Sequence, residues 1–236
     1  MKRIRFGSDE SPPRPSKIVA VGRNYREHAK ELGNVAPEEE PLLFLKAPSA
    51  LLLDGGEIVL PPESVRVDYE GELALVIGKT IKGWPQERWL EALAGVCCAN
   101  DVTARDLQKK DGQWARAKSF DTFCPVGPEI IAGLDPSDLA IETRVNGSVK
   151  QSSRTSEMVF SPAFLVAYVS RMMTLLPGDL ILTGTPAGIG PLSTGDIVEV
   201  EIEKIGILKN RVSTTTRKGS SPGDLAPPMA SRVTGQ

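Results

Sequence analysis

The chain has 236 residues, 40% of them hydrophobic and 25% charged, with a formal net charge of -2. That length holds one large core domain without structural staples, and the near-neutral charge offers no global attraction to phosphate backbones or anionic lipid, so nucleic acid is not an expected partner. The apolar runs are broken by charges, Pro or Gly well before the roughly 18 residues of a membrane span, and Met1–Arg5 leads into no apolar signal core; no membrane association is expected, and the expected compartment is the cytoplasm.

A strand is predicted at Lys2–Phe6, and the Pro/Ser/charge-rich Gly7–Ser16 connects it to the first strong strand, Lys17–Val21. Residues 1–16 therefore read as a short N-terminal extension. Tyr25–Leu32 predicts a short helix stopped by Gly33, and Pro41–Lys46 an extended apolar run. Val65–Ile77 alternates throughout, Pro85–Ala94 reads as a helix with Pro at its start, and Val102–Lys109 as a second short helix. Leu139–Val145 and Ser148–Gln151 predict a hairpin around Asn146–Gly147, because Asn-Gly supplies the positive φ angles of a type I′ turn.

Ser161–Met173 carries the clearest helix signal. Ser161 is the N-cap, Pro162 takes the first helical position, and Phe164, Leu165, Tyr168, Val169 and Met172 form one apolar stripe. Strands follow at Asp179–Thr183, Ile197–Glu203 and Ile207–Val212. Strands outnumber helices, so the expected class is a strand-rich α+β fold with one catalytic domain over residues 17–212. From Ser213 to Gln236 the composition turns Ser/Thr/Pro/Gly-rich without apolar periodicity, and this tail is expected to be disordered. Cys97 and Cys98 are adjacent and Cys124 stands alone. That is neither a disulfide framework nor zinc spacing, and the three read as buried apolar residues rather than reactive thiols.

In an extended Val65–Ile77, Arg66, Asp68, Glu70, Glu72, Ala74 and Val76 share one face. Alternate residues lie roughly 6.6–7 Å apart along a strand, so two glutamates can angle their carboxylates at one point between them. A divalent cation such as Mg²⁺ or Mn²⁺, which prefers oxygen ligands, would balance them there; a solvated strand face is the alternative. The apolar Ala74, Val76 and Ile77 favour burial, where unpaired like charges are costly. Asp101 follows the apolar run Leu93–Ala99, and serves either as a ligand presented on a loop or as a helix N-cap.

His28 is the only histidine in the chain. Glu31 shares its helical face, and can orient the imidazole and raise its basicity; taken alone, the spacing favours a surface pair. Arg105 and Gln108 share a face with Asp101 if the helix begins near it, a set suited to a carboxylate substrate. Lys118 lies among small and apolar neighbours, as an enolate-stabilising charge or an exposed strand lysine. Thr183–Gly188 follows an apolar strand and reads as a turn or as a ligand-binding loop.

Taken together, Gly22-Arg23-Asn24-Tyr25 with His28 and Glu31, Phe44-Leu45-Lys46, Asp68–Leu73, Asn100–Asp106, Ala117–Asp121 and Thr183–Pro186 resemble the fumarylacetoacetate hydrolase family. The resemblance spans about Lys17–Val212. It implies a mixed β-sandwich roll, usually a homodimer, with Mg²⁺ or Mn²⁺ held by Glu70, Glu72 and Asp101. It further implies that His28 and Glu31 activate water. Arg105, Gln108, Lys118 and Thr185 match positions that contact the substrate's carboxylate and keto oxygens or line the metal pocket.

The smaller acylpyruvase-like and diene-dioate isomerase-like branch matches better than the larger animal hydrolases. The sequence carries no counterpart of their long N-terminal domain, and apolar Val21 falls near their additional aspartate ligand. The expected activity is metal-dependent hydrolysis of a carbon–carbon bond in an acylpyruvate or related 2,4-diketo acid. The alternatives are an isomerase, tautomerase or decarboxylase of unsaturated 2-hydroxy or 2-oxo dioates, such as 2-hydroxyhepta-2,4-diene-1,7-dioate or oxaloacetate. A non-catalytic binding protein of the same fold is the remotest alternative.

Overall fold

The computed structural model describes residues 1–214. The strand Gly71–Ile77 is buried at every position, because it runs through the interior of an eight-stranded mixed sheet covered on both faces. Leu73, Leu75 and Ile77 enter one apolar cluster with Ile141, Val200 and Ile202 and with Leu165, Val166 and Val169 of the helix Pro162–Met172. Ala74 and Val76 enter a second cluster with Phe123, Val126, Leu180 and Leu182. Each fully buried aliphatic side chain contributes about 1.5–3 kcal/mol, so the alternation that separates the two clusters also fixes which way Glu72 points.

The large sheet runs in the order Lys2–Arg5, Cys124–Ala132, Leu93–Asn100, Gly71–Ile77, Leu180–Leu182, Ile18–Gly22, Leu42–Lys46, and Leu51–Leu53 pairs with Cys124–Ala132 as well. A second sheet of five strands runs Ser148–Arg154, Ala140–Val145, Ile197–Ile202, Gly206–Thr214, Glu57–Leu60. A third, small sheet joins Gly190–Pro191, Val67–Tyr69 and Thr103–Ala104. The fold is thus α+β and strand-rich, with mixed sheets. Among the described residues, no helix is long and apolar enough to cross a membrane.

Registers in the large sheet bring four strands to one edge. Gly71 pairs with Asn100, and Leu182 lies between Ala74 and Ala20. Gly71–Ile77 therefore starts where Leu93–Asn100, Leu180–Leu182 and Ile18–Gly22 end, and the segments beyond those ends share one space.

The predicted alternation over Val65–Ile77 is interrupted at Glu70. Its N–H donates to Asn100 Oδ1 at 2.9 Å, and its carbonyl accepts from the Asp101 N–H at 2.8 Å. The chain passes from the small sheet to the large one at that residue. The helix expected at Pro85–Ala94 is instead a 3₁₀ segment, Gln86–Ala92, with non-helical torsions at Arg88, followed by a strand from Leu93. At the same place the indole N–H of Trp84 donates to the Arg88 carbonyl at 2.8 Å. The helix expected at Val102–Lys109 starts later, at Arg105, and runs to Asp111, because Thr103–Ala104 pairs as a strand with Val67 and Asp68.

The hairpin forms with Asn146 at φ 51° and Gly147 at φ 77°, and its second strand extends to Arg154. Ser161 caps its helix by accepting from the Phe164 N–H at 3.3 Å, with Pro162 in the first position. Ser213 and Thr214 pair with Val59 and Leu60, so the last strand runs two residues past Val212. The rest of the tail expected to be disordered, residues 215–236, lies outside the described residues. All three cysteines are free and buried, and burial pushes the thiols of Cys98 and Cys124 up to about 12.

Asp179 ties the two central parallel strands together at the opposite end from the gathered edge. Its buried carboxylate accepts from Ser16 N and Oγ, Lys17 N and Leu176 N at 2.7–3.0 Å, and pairs with Lys17 Nζ. Burial opposes its ionisation, but these hydrogen bonds outweigh it and hold the carboxyl below the ordinary aspartate value. A depressed folded pKa stabilises at pH above the unfolded value of about 3.9, and that stability is lost as pH falls through the folded value. Asp179→Asn is therefore expected to cost about 2–4 kcal/mol in urea unfolding at pH 7, and to flatten the stability loss of the parent protein below about pH 4.

Candidate metal centre

Glu70, Glu72 and Asp101 each bring a carboxylate oxygen within 4.8 Å of the others'. All three are buried, with exposures of 4%, 2% and 1%, so the solvated-strand alternative does not hold. Asp101 does not cap the following helix, whose N-cap is Ala104. Its carboxylate accepts from Lys46 Nζ and Lys118 Nζ, each at 2.5 Å. Lys118 lies at the end of a short helix, Ala115–Lys118, rather than on an exposed strand, and its ammonium also reaches Glu70 Oε2 at 2.8 Å.

Asp68, the third acid of the alternating row, is directed elsewhere. It accepts from Arg66 at 2.9 and 3.2 Å and from Arg105 Nε at 2.9 Å. Arg105 also pairs with Glu70 through Nη2 and donates to Gln108 Oε1 through Nη1 at 2.6 Å. Arg105 and Gln108 are thus neighbours on one helical face, which begins at Arg105 itself rather than at Asp101.

Four buried carboxylates, Asp68, Glu70, Glu72 and Asp101, face three buried cations, Lys46, Arg105 and Lys118. The uncompensated charge falls on Glu72. Its partner is a backbone donor, Gly184 N–H at 2.7 Å. Burial, together with the charges of Asp101 and Glu70, holds Glu72 well above the ordinary glutamate value. Glu70 goes the other way: burial opposes its ionisation, but Lys118 and Arg105 hold it well below. An all-oxygen donor set with one carboxylate lacking a cation fits a divalent Mg²⁺ or Mn²⁺, and Lys118 bridging Glu70 and Asp101 shows the carboxylates already arranged around positive charge.

His28 and Glu31 lie on the short helix Arg26–Glu31, with His28 Nδ1 and Glu31 Oε2 3.3 Å apart. The ring is buried while Glu31 lies at the surface, where its carboxylate also accepts from the Gly188 N–H at 3.1 Å. Gly188 is anchored in turn by Tyr69 Oη donating to its carbonyl at 2.9 Å. The Thr183–Gly188 segment therefore serves both Glu72 and Glu31. Gly184 has φ 97°, and a Cβ there would lie 2.7 Å from Asn24 Cβ, so glycine is what lets its N–H reach Glu72. Thr185 lines the cavity, but its hydroxyl is engaged with the scaffold: it donates to the Gly71 carbonyl at 2.8 Å and accepts from Gln151 Nε2 at 2.7 Å.

All nine predicted site residues except Glu31 line one cavity of about 200 Å³. Glu31 lies outside it, in contact with the His28 ring. Sequence reasoning assigned no role to Lys46, Gln151 or Asn24. Lys46 ends an apolar run, a signal for a buried cation that was legible. Gln151 joins Gly71 N to the Thr185 loop, and Asn24 binds Thr183 O at 2.7 Å and both polar backbone groups of Phe160. Asn24 belongs to the Gly22–Tyr25 motif of the family resemblance, whereas Gln151 carries no local sequence signal.

A strand-rich α+β scaffold with a buried three-carboxylate centre beside a held His–Glu pair defines a candidate metal-binding active site. Residues 17–213 match the model of the fumarylacetoacetate (FAA) hydrolase C-terminal family. The chain belongs to the fumarylacetoacetate hydrolase family, which includes hydrolases, isomerases and tautomerases. It is similar to the structure of 5-carboxymethyl-2-hydroxymuconate delta-isomerase from Mycobacterium smegmatis: TM-score 0.81, 50% identity, 88% of this chain and 82% of that one covered. The fumarylpyruvate hydrolase of Pseudomonas aeruginosa, solved with Mn²⁺ and pyruvate, gives TM-score 0.83 at 34% identity over 89% and 94%. A mitochondrial oxaloacetate tautomerase of Rattus norvegicus is 44% identical over 84% of this chain and 67% of its own.

Calorimetric melting with Mg²⁺ or Mn²⁺ at about 100 times its Kd is expected to show stabilisation of about 2.7 kcal/mol over chelator-treated protein, roughly 5–10 °C in Tm. Glu72→Gln should abolish the difference. An equal shift in that variant would place the ion elsewhere.

Proposed function

We propose that the protein is a Mg²⁺- or Mn²⁺-dependent hydrolase that cleaves a carbon–carbon bond in acylpyruvates or related 2,4-diketo acids. The observation that carries this reading is the placing of Glu70, Glu72 and Asp101 on the same cavity wall system as a His28 ring whose Nδ1 is held by Glu31. The ion, held by those three carboxylates, supplies a Lewis acid for the 2-oxo acid end of the substrate. With a divalent ion added, the buried charge set carries one net positive charge, which suits an anionic substrate.

Arg105 and Gln108 orient the substrate's carboxylate, with Arg105 held in place by Asp68. His28 takes a proton from water through its other ring nitrogen, Nε2, and the water oxygen bonds to the distal carbonyl carbon. The bond between that carbon and the adjacent methylene carbon breaks, giving a carboxylic acid and the enolate of pyruvate. Lys118 stabilises the developing oxyanion, and the proton held by His28 passes to the methylene carbon.

A second reading uses the same residues without water attack: His28 moves a proton between the carbon beside the keto group and the keto oxygen, giving tautomerisation or isomerisation. The similarities to an isomerase at 50% identity and a tautomerase at 44% support it, beside hydrolases similar at 34% and 44%. Stopped-flow assays on acetylpyruvate and oxaloacetate separate the two. Under the hydrolytic reading, acetylpyruvate is cleaved, Glu70→Gln abolishes turnover, and His28→Ala lowers kcat by about 10²–10⁴-fold. Enol–keto exchange of oxaloacetate with no acetylpyruvate cleavage would establish the second reading instead, and full activity in chelator would overturn both.

A further inference from the structure

Lys2–Arg5 and Ile18–Gly22 run parallel in the large sheet, five strand spacings apart, or about 24 Å. A parallel connection has to cross one face of the sheet, and a helix usually fills the crossing and buries an apolar stripe on the strands beneath. Here the crossing is made by residues 6–17, which include Pro12, Pro13 and Pro15 and carry no Leu, Ile, Val, Met or aromatic residue after Phe6. It is a strap pinned at its ends. Lys2–Arg5 pairs with Cys124–Ala132, and Ser16 and Lys17 bond to Asp179. Gly178 leaves room for the Pro13 carbonyl, whose oxygen would lie 2.0 Å from a Cβ there. Between these points, Ser8 and Ser11 bond to carbonyls of Arg5, Ser8 and Pro12, and Glu10 pairs with Lys2, so the strap bonds to its own end of the chain and spans the sheet without filling the face below.

A cavity of about 400 Å³ remains under it, within the range of about 300–1,000 Å³ usual for small-ligand sites. Val76, Ile130 and Leu180 line it from the sheet, and Phe6, Pro12 and Leu53 from the sides. Arg14 is the one charged residue in the lining, and it is exposed, with no ion pair or side-chain hydrogen bond among the described residues. The hydroxyls of Ser8 and Ser11, also in the lining, already donate to the Arg5 and Pro12 carbonyls, which leaves Arg14 as the uncommitted side-chain donor at the rim. This cavity shares no lining residue with the carboxylate cavity. Val76 lies on the same strand face as Glu72 but four residues further along, about 13 Å away.

We propose that the space under the strap is a second ligand site, for a medium-chain monocarboxylate whose alkyl chain lies on Val76, Ile130 and Leu180 and whose carboxylate pairs with Arg14. Burial of the alkyl chain supplies the affinity, and the single guanidinium sets the headgroup through a charge-assisted hydrogen bond. A second charge along the chain would be left unpaired among apolar walls, so the site excludes diacids. It depends neither on the divalent ion nor on the reaction proposed above.

The test is titration calorimetry of the full chain with octanoate, octanol and butyrate. One octanoate is expected to bind per chain, with octanol about tenfold weaker for want of the charge-assisted contact and butyrate about a hundredfold weaker for want of four buried methylenes. Arg14→Gln, at an exposed position, should bring octanoate to the affinity of octanol and leave octanol unchanged. Leu53→Trp, which fills the cavity from its side, should abolish binding of both while its melting curve reports a retained fold. Saturating pyruvate with Mg²⁺ should not displace octanoate. Equal affinities for octanoate and octanol in the parent protein, or undiminished octanoate binding in Arg14→Gln, would overturn the role of Arg14 and with it the carboxylate site. Absence of saturable octanoate binding, or its displacement by pyruvate, would overturn the site as a whole.

Discussion

Glu72 is a buried carboxylate that no cation touches. An unpaired ionised acid in a protein interior is strongly disfavoured, so the segment must either keep a proton or meet a positive charge, and burial beside Glu70 and Asp101 enforces that choice. Much of the surrounding structure follows from it. Lys46, Lys118 and Arg105 neutralise the neighbouring acids, and the one remaining negative charge is where a divalent ion fits. Removing one member of such a set leaves an uncompensated buried charge, so each buried cation maintains the donor geometry as well as the fold.

The scaffold holds that charge cluster with ordinary backbone chemistry. Gly71 has no room for a side chain, since a Cβ would lie 2.0 Å from Thr143 Oγ1, and this closeness lets the carboxylate strand meet the second sheet. Gln151 reaches across from the hairpin to Gly71 and to the loop after Leu182. That loop places one N–H on Glu72 and another on Glu31. Glu72 and Glu31 are thereby located by the same short segment, which couples the position of the His28 ring to that of the carboxylate cluster.

The apolar alternation of Leu73–Ile77 and the acids before it made the central strand and its carboxylates legible from sequence. The same is true of the Asn-Gly hairpin and of the Ser-Pro start of the long helix, because these signals are local. What escaped depended on distant partners. The break at Glu70 is caused by Asn100, 30 residues away, and Gly71 is held by Gln151, 80 residues away. Asp68 looks equivalent to Glu70 in an alternating row, but Arg66 and Arg105 claim it. The 3₁₀ turn at Gln86–Ala92, with non-helical torsions at Arg88, is not encoded by its helical periodicity. Asp101 was open between ligand and cap until the helix start at Arg105 removed the cap.

The family places this chain among hydrolases, isomerases and tautomerases, and both readings proposed for it rest on one physical claim, that Glu70, Glu72 and Asp101 hold one divalent ion. The most direct measurement is anomalous diffraction from crystals of the full chain soaked in Mn²⁺. The account predicts a single strong manganese peak within about 2.0–2.3 Å of one oxygen from each of the three carboxylates, with the Lys118 ammonium displaced from its bridge between Glu70 and Asp101. A cluster that stays bridged by Lys118 with no manganese peak among the three acids, at Mn²⁺ concentrations that saturate turnover, would contradict it.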